Sequence, residues 1–190
     1  MIMAKVKFQV EIQKILKVLS NDIYDSPYAL LRENIQNAYD AILMRRQKES
    51  TFEPKIEIVL NNSNVIIRDN GIGMDYNTIE NNYWKAGSSG KNNDEARKAG
   101  VVGTFGIGAM ANFGICSHLE IKSRAYGTNT TYISHAEKDT LSISEDCISI
   151  EINPENLVDF GTEVYATLES GQMLTEEGAK NYLLPYVTYL

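Results

Sequence analysis

Two segments near the start of the chain repeat apolar residues at helical spacing. The first places Ile12, Ile15, Leu16 and Leu19 at i, i+3, i+4 and i+7, which predicts a helix over about residues 10–20 after a short strand at Phe8 to Val10. The second begins at Ser26-Pro27, an N-cap hydroxyl followed by a proline suited to a first helical turn. It should run to about Arg46, with a core stripe of Leu31, Ile35, Ala38 and Ile42.

Runs with strand character occupy much of the remaining chain. Residues 55–60 and 65–68 are rich in Ile and Val and are separated by Asn61-Asn62-Ser63, which predicts a hairpin. Four further strands are predicted over 119–126, 129–136, 140–152 and 163–168.

Two shorter helices are predicted around these later strands. Ala109 to Ile115 precedes them, and a last helix should start near Thr175 and stop before Pro185, since proline interrupts helical hydrogen bonding. This order of elements predicts an α+β fold, a two-layer α/β sandwich whose mixed, mostly antiparallel sheet carries helices on one face.

Composition and charge narrow the class of protein. The 190 residues are 43% hydrophobic and carry 18 Lys and Arg against 25 Asp and Glu, as expected of a globular domain. After position 136 the only basic residues are Lys138 and Lys180, against eleven acidic residues. A surface that follows a nucleic-acid backbone needs clustered basic residues, so nucleic-acid binding is disfavoured.

The cysteines, the histidines and the N-terminal residues indicate a cytoplasmic protein. Cys116 and Cys147 are too few for a disulfide framework, and together with His118 and His135 they lack the spacing of zinc ligands. Lysines interrupt the N-terminal apolar residues, so neither a signal peptide nor a membrane span is expected there. Because the chain ends on the apolar segment 186–190, we expect residues 1–190 to form one domain at the N-terminal end of a longer protein.

The second predicted helix carries a polar stripe opposite its apolar one. Glu33, Asn37 and Asp40 are spaced i, i+4 and i+7 and therefore share one face. Such a stripe is often only a solvated surface. Alternatively, a carboxylate and a carboxamide one turn apart would place a general base beside an oxygen ligand for a hard cation.

A second motif, Asp69-Asn70-Gly71-Ile72-Gly73-Met74, follows a predicted strand. Two glycines at this spacing are compatible with a plain turn. They would also let a flat ligand approach the backbone, while Asp69 accepts a hydrogen bond from an exocyclic amine such as that of adenine. The second interpretation predicts base recognition rather than catalysis.

The segment from Lys85 to Gly108 is rich in glycine and polar residues, which predicts a mobile loop. It ends in Gly103-Thr104-Phe105-Gly106-Ile107-Gly108, directly before a predicted helix. Backbone N–H groups in this arrangement can bind phosphate oxygens, with Lys85, Lys91, Arg97 and Lys98 as candidate partners. The motif alone is weakly specific, and it matches neither the P-loop nor the dinucleotide fingerprint.

Taken together, four motifs resemble those of the GHKL ATP-binding family with its Bergerat fold. They are Glu33-x-x-x-Asn37-Ala38-x-Asp40-Ala41, Asp69-x-Gly71-Ile72-Gly73-Met74, Gly103-x-Phe105-Gly106-Ile107-Gly108 and Gly161-Thr162-Glu163-Val164. Within that family the chain is most similar to the N-terminal domain of the heat-shock-protein-90 chaperones of the bacterial HtpG type. Phe8 to Ile12 resembles their exchanging N-terminal strand, which the sensor kinases lack.

The resemblance implies a role for each matching residue. Glu33 would activate the attacking water, and Asn37 would bind the Mg²⁺ that bridges the phosphates. Asp69 would bind the adenine amine, with support from Thr162 through water. The full set implied for ATP binding is Asn37, Asp40, Ala41, Asp69, Gly71, Ile72, Gly73, Met74, Asn82, Gly103, Phe105, Gly106, Ile107, Gly108 and Thr162.

The resemblance also implies a biological context. The domain would bind ATP and ADP, close an ATP lid at about residues 85–108, and form a homodimer within a longer chaperone that acts on client proteins. Hydrolysis by the isolated domain should be weak, because the family supplies a phosphate-sensing arginine from its next domain. Two alternatives stay open. One is an ATPase module of a DNA-engaging or defence-type clamp, and the other is a nucleotide sensor without catalysis.

Overall fold

Residues 11–18, 26–85, 108–153 and 159–187 are described by the computed structural model. Their helices are α1 (Ile12–Val18), α2 (Ala29–Arg46), α3 (Tyr76–Thr78), α4 (Gly108–Asn112) and α5 (Glu176–Val187). The strands are β1 (Ile56–Leu60), β2 (Asn64–Asp69), β3 (Cys116–Arg124), β4 (Thr131–Glu137), β5 (Ile148–Asn153) and β6 (Gly161–Leu168). A π-helical turn, Ile79–Tyr83, follows α3, and a 3₁₀ turn occupies Lys138–Thr140. The predicted strand at Phe8 to Val10 and most of the glycine-rich segment lie outside these ranges.

The six strands form one sheet in the order β1-β2-β6-β3-β4-β5. All neighbouring pairs among them are antiparallel, whereas the sequence suggested a mixed, mostly antiparallel sheet. The last strand in the chain, β6, lies between β2 and β3. This insertion places the start of β6 beside the end of β2, where Thr162 pairs with Asp69.

The helices form the second layer, and the α+β sandwich predicted from the sequence is confirmed. Helix α2 packs against β1, β2 and β6, while α4 and α5 pack against α2. The predicted stripe of α2 is buried as expected, namely Leu31, Ile35, Ala38 and Ile42. Burial of each Leu or Ile side chain contributes about 1.5–3 kcal/mol, so this stripe determines which face of α2 meets the sheet. Within the described ranges, no helix is long and apolar enough to cross a membrane.

The other face of the sheet is charged. Arg68 on β2 donates hydrogen bonds to Glu57 on β1 at 3.1 Å and to Glu163 on β6 at 2.5 Å. Lys122 on β3 lies 3.8 Å from Glu163. These exposed and half-buried ion pairs each contribute little to stability, but they mark this face as the solvated side of the antiparallel sheet.

Two helix boundaries differ from the prediction. Helix α2 begins at Ala29, because the Ser26 hydroxyl accepts the Tyr28 N–H at 3.2 Å and forms a preceding turn instead of an N-cap. Helix α5 continues through Pro185 to Val187, although the sequence suggested a stop before that proline. Pro185 lies in the last turn beside exposed residues, where a carbonyl that loses its helical partner can bind water.

Two further predictions were wrong in part. Residues 141–147 are not a strand, because the Ser142 hydroxyl accepts the N–H groups of Ser144 and Glu145, both at 3.1 Å, and competes with strand pairing. Only the second half of the predicted strand over 140–152 forms, as β5. In α1, Leu16 is buried, but Ile15 of the predicted apolar stripe is 37% exposed.

Candidate functional site

Three polar side chains lie in one row across the helix-facing side of the sheet. Asp69 at the end of β2 pairs with Thr162 near the start of β6, and Thr162 pairs with Ser123 on β3. The neighbouring row in the same strands is apolar, with Ile67, Val164 and Ile121. Since alternate side chains share a face, the core side of the sheet becomes polar at this end.

Asp69 is held by backbone donors. Its Oδ1 accepts the N–H of Gly71 at 2.8 Å, and the backbone N–H of Thr162 on the paired strand also favours the ionised carboxyl. Burial raises the pKa of the Asp69 carboxyl to about 7, and the two N–H groups oppose that rise only in part. Near neutral pH the carboxyl is therefore divided between its ionised and protonated forms.

The residues after Asp69 dock on helix α2. Ile72 donates its N–H to the carbonyl of Ala41 at 2.9 Å, and its own carbonyl accepts the N–H of Tyr126 at 2.7 Å. A Cβ at Gly71 would lie only 2.6 Å from the Cβ of Ala41. Glycine is therefore required for this close approach, and Ala41 serves as the surface against which the loop packs.

Gly73 takes a backbone conformation that suits glycine. Its φ is 64°, and a Cβ there would collide with the carbonyl oxygen of Arg124. The next residue, Met74, donates its N–H to the hydroxyl of Ser123 at 2.8 Å. The motif is thus fixed to α2 at one end and to β3 at the other.

Ser123 is a site residue that the motif analysis missed. Its fully buried hydroxyl lies 2.8 Å from the hydroxyl of Thr162 and donates to the carbonyl of Gly161 at 3.1 Å. The Ser123 hydroxyl has one proton, which it donates to Gly161, and two acceptor positions. The Met74 N–H uses one of these positions, and the Thr162 hydroxyl uses the other if it donates its proton to Ser123. The Thr162 oxygen is then left as an acceptor. A polar residue among the alternating apolar positions of β3 was the available sequence signal.

The three residues of the predicted polar face of α2 differ in how far they are buried. Glu33 and Asn37 are half-buried, whereas Asp40 is 0% exposed and accepts a hydrogen bond from Gln36 at 3.1 Å. A plain solvated surface does not describe a fully buried carboxylate. Glu33 faces a neighbouring cation, because its Oε1 accepts from the Nε and Nη2 of Arg32 at 3.3 and 3.0 Å.

Of the remaining predicted residues, the structure describes Asn82 and Gly108, which flank the glycine-rich segment along the chain. Asn82 is half-buried in the π-helical turn, a rare conformation that is frequent at functional sites. Gly108 is the first residue of α4, the helix that packs on α2. Gly103, Phe105, Gly106 and Ile107, like Lys91, Arg97 and Lys98, lie outside the described residues.

Comparisons with known proteins identify the family of this chain. The family profile described as "Histidine kinase-, DNA gyrase B-, and HSP90-like ATPase" matches residues 24–162. Chaperone protein HtpG of Campylobacter jejuni subsp. doylei is 27% identical over 201 residues, covering 97% of this chain and 32% of the relative. Chaperone protein HtpG of Borreliella burgdorferi is 30% identical over 175 residues, covering 84% of this chain and 27% of the relative. The chain thus spans about a third of the length of these relatives.

The family match covers most of the chain and both halves of the candidate site. It includes Glu33 on α2 and Asp69 on β2, and it ends at Thr162 on β6. The resemblance stated from the four motifs is therefore confirmed at the level of the family. This chain belongs to the histidine kinase-, DNA gyrase B- and HSP90-like ATPase family.

Proposed function

We propose that this chain is a Mg²⁺-dependent ATP-binding domain that hydrolyses ATP within a heat-shock-protein-90-like chaperone. One observation carries the proposal. Glu33, Asn37 and Ala41 lie at i, i+4 and i+8 on one face of α2, and Ala41 contacts the loop that follows Asp69. The rise of a helix puts Glu33 about 12 Å and Asn37 about 6 Å from Ala41 along the axis, so a ligand that meets both ends must be extended, as a nucleoside triphosphate is.

The Asp69 end of this arrangement suits a purine base. An ionised Asp69 accepts an exocyclic amine, and Thr162 offers an acceptor oxygen to a bridging water when its proton is donated to Ser123. Gly71, Ile72, Gly73 and Met74 provide the backbone surface beside the base. Asn82 is proposed to contact the base and ribose from the π-helical turn.

The Glu33 end suits phosphoryl chemistry. Glu33 would accept a proton from the attacking water, which requires Arg32 to share or release the carboxylate oxygen that it now binds. In this class of reaction the protein mainly orients the nucleophile and neutralises charge. The amide groups of Gly103, Phe105, Gly106, Ile107 and Gly108 are proposed to bind the phosphates.

The donors present on α2 fit a magnesium ion that is bound mainly through the nucleotide. Among the residues that the structure describes, no three His, Cys, Asp or Glu side chains cluster as a metal site, so a cage made of protein carboxylates is not available there. Mg²⁺ is commonly bound by one or two protein oxygens together with phosphates and water. The side-chain oxygen of half-buried Asn37 would hold it, and the bound ion would neutralise phosphate charge.

The wider biology is proposed from the relatives, which carry the name chaperone protein HtpG. We propose that nucleotide binding closes the segment at about 85–108 and promotes homodimerisation of a longer cytoplasmic protein that acts on client proteins. The presence of Glu33 favours hydrolysis over a pure nucleotide sensor. The excess of acidic residues after position 136 argues against a DNA-engaging clamp.

Calorimetric titration of the chain with ATP, with and without Mg²⁺, tests this function. ATP should bind, EDTA should weaken binding, and Asp69→Asn should remove most of it. Glu33→Gln should keep binding but lower single-turnover hydrolysis by about 10²–10⁴-fold, while the exposed control Glu177→Gln should change neither. If Asp69→Asn binds and hydrolyses ATP as the wild type does, the proposed base site is ruled out. Unchanged hydrolysis in Glu33→Gln would favour the sensor alternative. Stimulation by duplex DNA would favour the clamp.

A further inference from the structure

The last turn of helix α2 contains a buried arginine. Arg45 is only 6% exposed and lies one turn after Ala41. Its Nη1 donates to the backbone carbonyl of Asn70 at 2.7 Å, while its Nε and Nη2 donate to one oxygen of Glu49 at 3.1 and 2.9 Å. Arginine is rarely this buried unless it is paired, so these contacts account for its position.

Aromatic rings from three separate loops surround the same guanidinium. Its central carbon lies 4.3 Å from the ring centre of Phe52, 5.4 Å from that of Tyr126 and 5.5 Å from that of Phe160. Tyr126 and Phe160 also contact each other edge to face, with ring centres 5.1 Å apart. A cation at these distances is attracted to the electron-rich face of an aromatic ring. Arg45 and these three rings are called the Arg45 cage below.

Arg45 and two of its rings, Tyr126 and Phe160, connect directly to the Asp69 end of the site. Asn70 lies between Asp69 and Gly71, and it also pairs with Lys55 through its backbone and its side chain, at 3.2 and 2.7 Å. Tyr126 donates its N–H to the carbonyl of Ile72. Phe160 directly precedes Gly161-Thr162 in the chain. The cage therefore joins the loop after β2, the turn after β3 and the start of β6 to one side chain of α2.

We propose that Arg45 is a positioning residue for base recognition. This inference rests on the proposed function of ATP binding. The guanidinium holds the Asn70 carbonyl, and thereby sets the orientation of the Asp69 carboxyl toward the exocyclic amine of adenine. Arg45 itself contacts neither base nor phosphate in this arrangement. Its effect should therefore appear in the discrimination between bases more than in phosphate binding.

The geometry requires arginine rather than any cation. A guanidinium is planar, donates in several fixed directions and stacks on rings, whereas a lysine ammonium is a compact point charge. Lysine at position 45 can bind either Asn70 or Glu49, but it cannot reproduce the fork and the stacking together. Arg46, the next residue, is exposed and provides a matched control.

The test compares ATP with inosine triphosphate, which carries a carbonyl oxygen in place of the exocyclic amine. Both are titrated into the full chain by calorimetry for wild type, Arg45→Lys and Arg46→Lys, at pH 8, where Asp69 is mostly ionised. Arg45→Lys should lower the affinity for ATP about tenfold, equivalent to about 1.4 kcal/mol, and change the affinity for inosine triphosphate much less. Arg46→Lys should keep the wild-type preference.

A second variant guards against a failure of Arg45→Lys to fold. Phe52→Leu removes the nearest ring and leaves the arginine in place, and it should reduce the preference for ATP to an intermediate value. A wild-type preference retained in both variants would overturn the positioning role alone. A wild type that binds ATP no more tightly than inosine triphosphate would overturn the proposed base site and, with it, this inference.

Discussion

Asn34 donates a hydrogen bond of 2.7 Å from its Nδ2 to the Oδ1 of Asn112, and both side chains are buried. The same Nδ2 donates to the carbonyl of Leu30 at 2.8 Å, and the Nδ2 of Asn112 donates to the carbonyl of Ala109 at 3.3 Å. The pair joins α4 to α2 at the residue directly after Glu33. A buried polar pair of this kind is stable only while both partners are satisfied.

The two members of this buried pair should be energetically coupled. Asn34→Leu and Asn112→Leu keep a similar shape but remove a buried partner, so each should lower the free energy of unfolding by about 1–3 kcal/mol. The double variant should lose less than the sum of the two. Urea denaturation of the four proteins measures the coupling, with exposed Asn62→Leu as the control. Additive losses would show that the contact is not energetically coupled.

The raised pKa of Asp69 predicts that ATP binding depends on pH. An adenine amine binds the ionised carboxylate, so ATP should bind more weakly as the pH falls through about 7, the pKa of this carboxyl in the unliganded chain. Binding at pH 7 should also release part of a proton from Asp69. Calorimetry in two buffers of different ionisation enthalpy measures that release. Equal heats in both buffers, together with a pH-independent affinity, would contradict the assignment.

The Asp69 carboxyl should also make the stability of the unliganded chain depend on pH. Lower pH should stabilise the folded chain through this group, whereas it weakens ATP binding. Its pKa lies near 7 in the folded chain and near 3.9 in an unfolded one, so between these values the folded state binds more protons. Stability contributed by this group therefore rises as the pH falls from 8 toward 5. Asp69→Asn should flatten that part of the stability profile, as measured by urea denaturation at several pH values.

Local patterns predicted the parts of the fold that depend on nearby residues. The buried stripe of α2 follows from apolar residues three and four apart, and the strand before Asp69 follows from its β-branched run. Pro185 shows the limit of such rules, because α5 tolerates a proline within its exposed last turn. Ser142 shows another, because side-chain hydrogen bonds convert part of a strand-like sequence into a turn.

The parts that could not be predicted depend on residues far apart in the chain. Ser123 and Thr162 are 39 positions apart, and Asn34 and Asn112 are 78 apart. Their contacts exist because β6 inserts between β2 and β3 and because α4 returns to α2. The periodicity of apolar residues predicts neither the position of β6 in the sheet nor the packing of α4 on α2. The motif residues themselves were identifiable because each motif is continuous in the chain.

Two glycines with positive φ provide a test of the close approach at the site. Gly73 has φ 64° and faces the Arg124 carbonyl, whereas Gly127 has φ 80° and open space around it. Alanine at either position carries backbone strain of about 1–3 kcal/mol, but only Gly73→Ala adds a collision. Gly73→Ala should therefore lower the melting temperature more than Gly127→Ala and should also weaken ATP binding. Equal losses of stability would show that the backbone near Arg124 moves freely.

Ser123→Ala should affect both stability and nucleotide binding. The change removes the acceptor used by Met74 N–H and the hydroxyl that pairs with Thr162, and it should cost about 1–3 kcal/mol of stability because these groups are buried. It also frees the Thr162 proton, so the acceptor that this residue presents toward the base site is no longer assured. ATP affinity should fall as a consequence.

Ser134→Ala is the matched control for this change. Ser134 is equally buried in the same sheet, and its hydroxyl accepts from the Nε1 of Trp84 at 2.8 Å, but it lies in the apolar row beside Ile121. Ser134→Ala should therefore lower stability by an amount similar to that of Ser123→Ala. At a temperature where both variants are fully folded, Ser134→Ala should leave ATP affinity unchanged. Parallel loss of ATP affinity in the two variants would mean that binding follows the overall stability of the sheet. A loss confined to Ser123→Ala would instead support the hydrogen-bonded row from Asp69 to Ser123 as the base-binding end of the site.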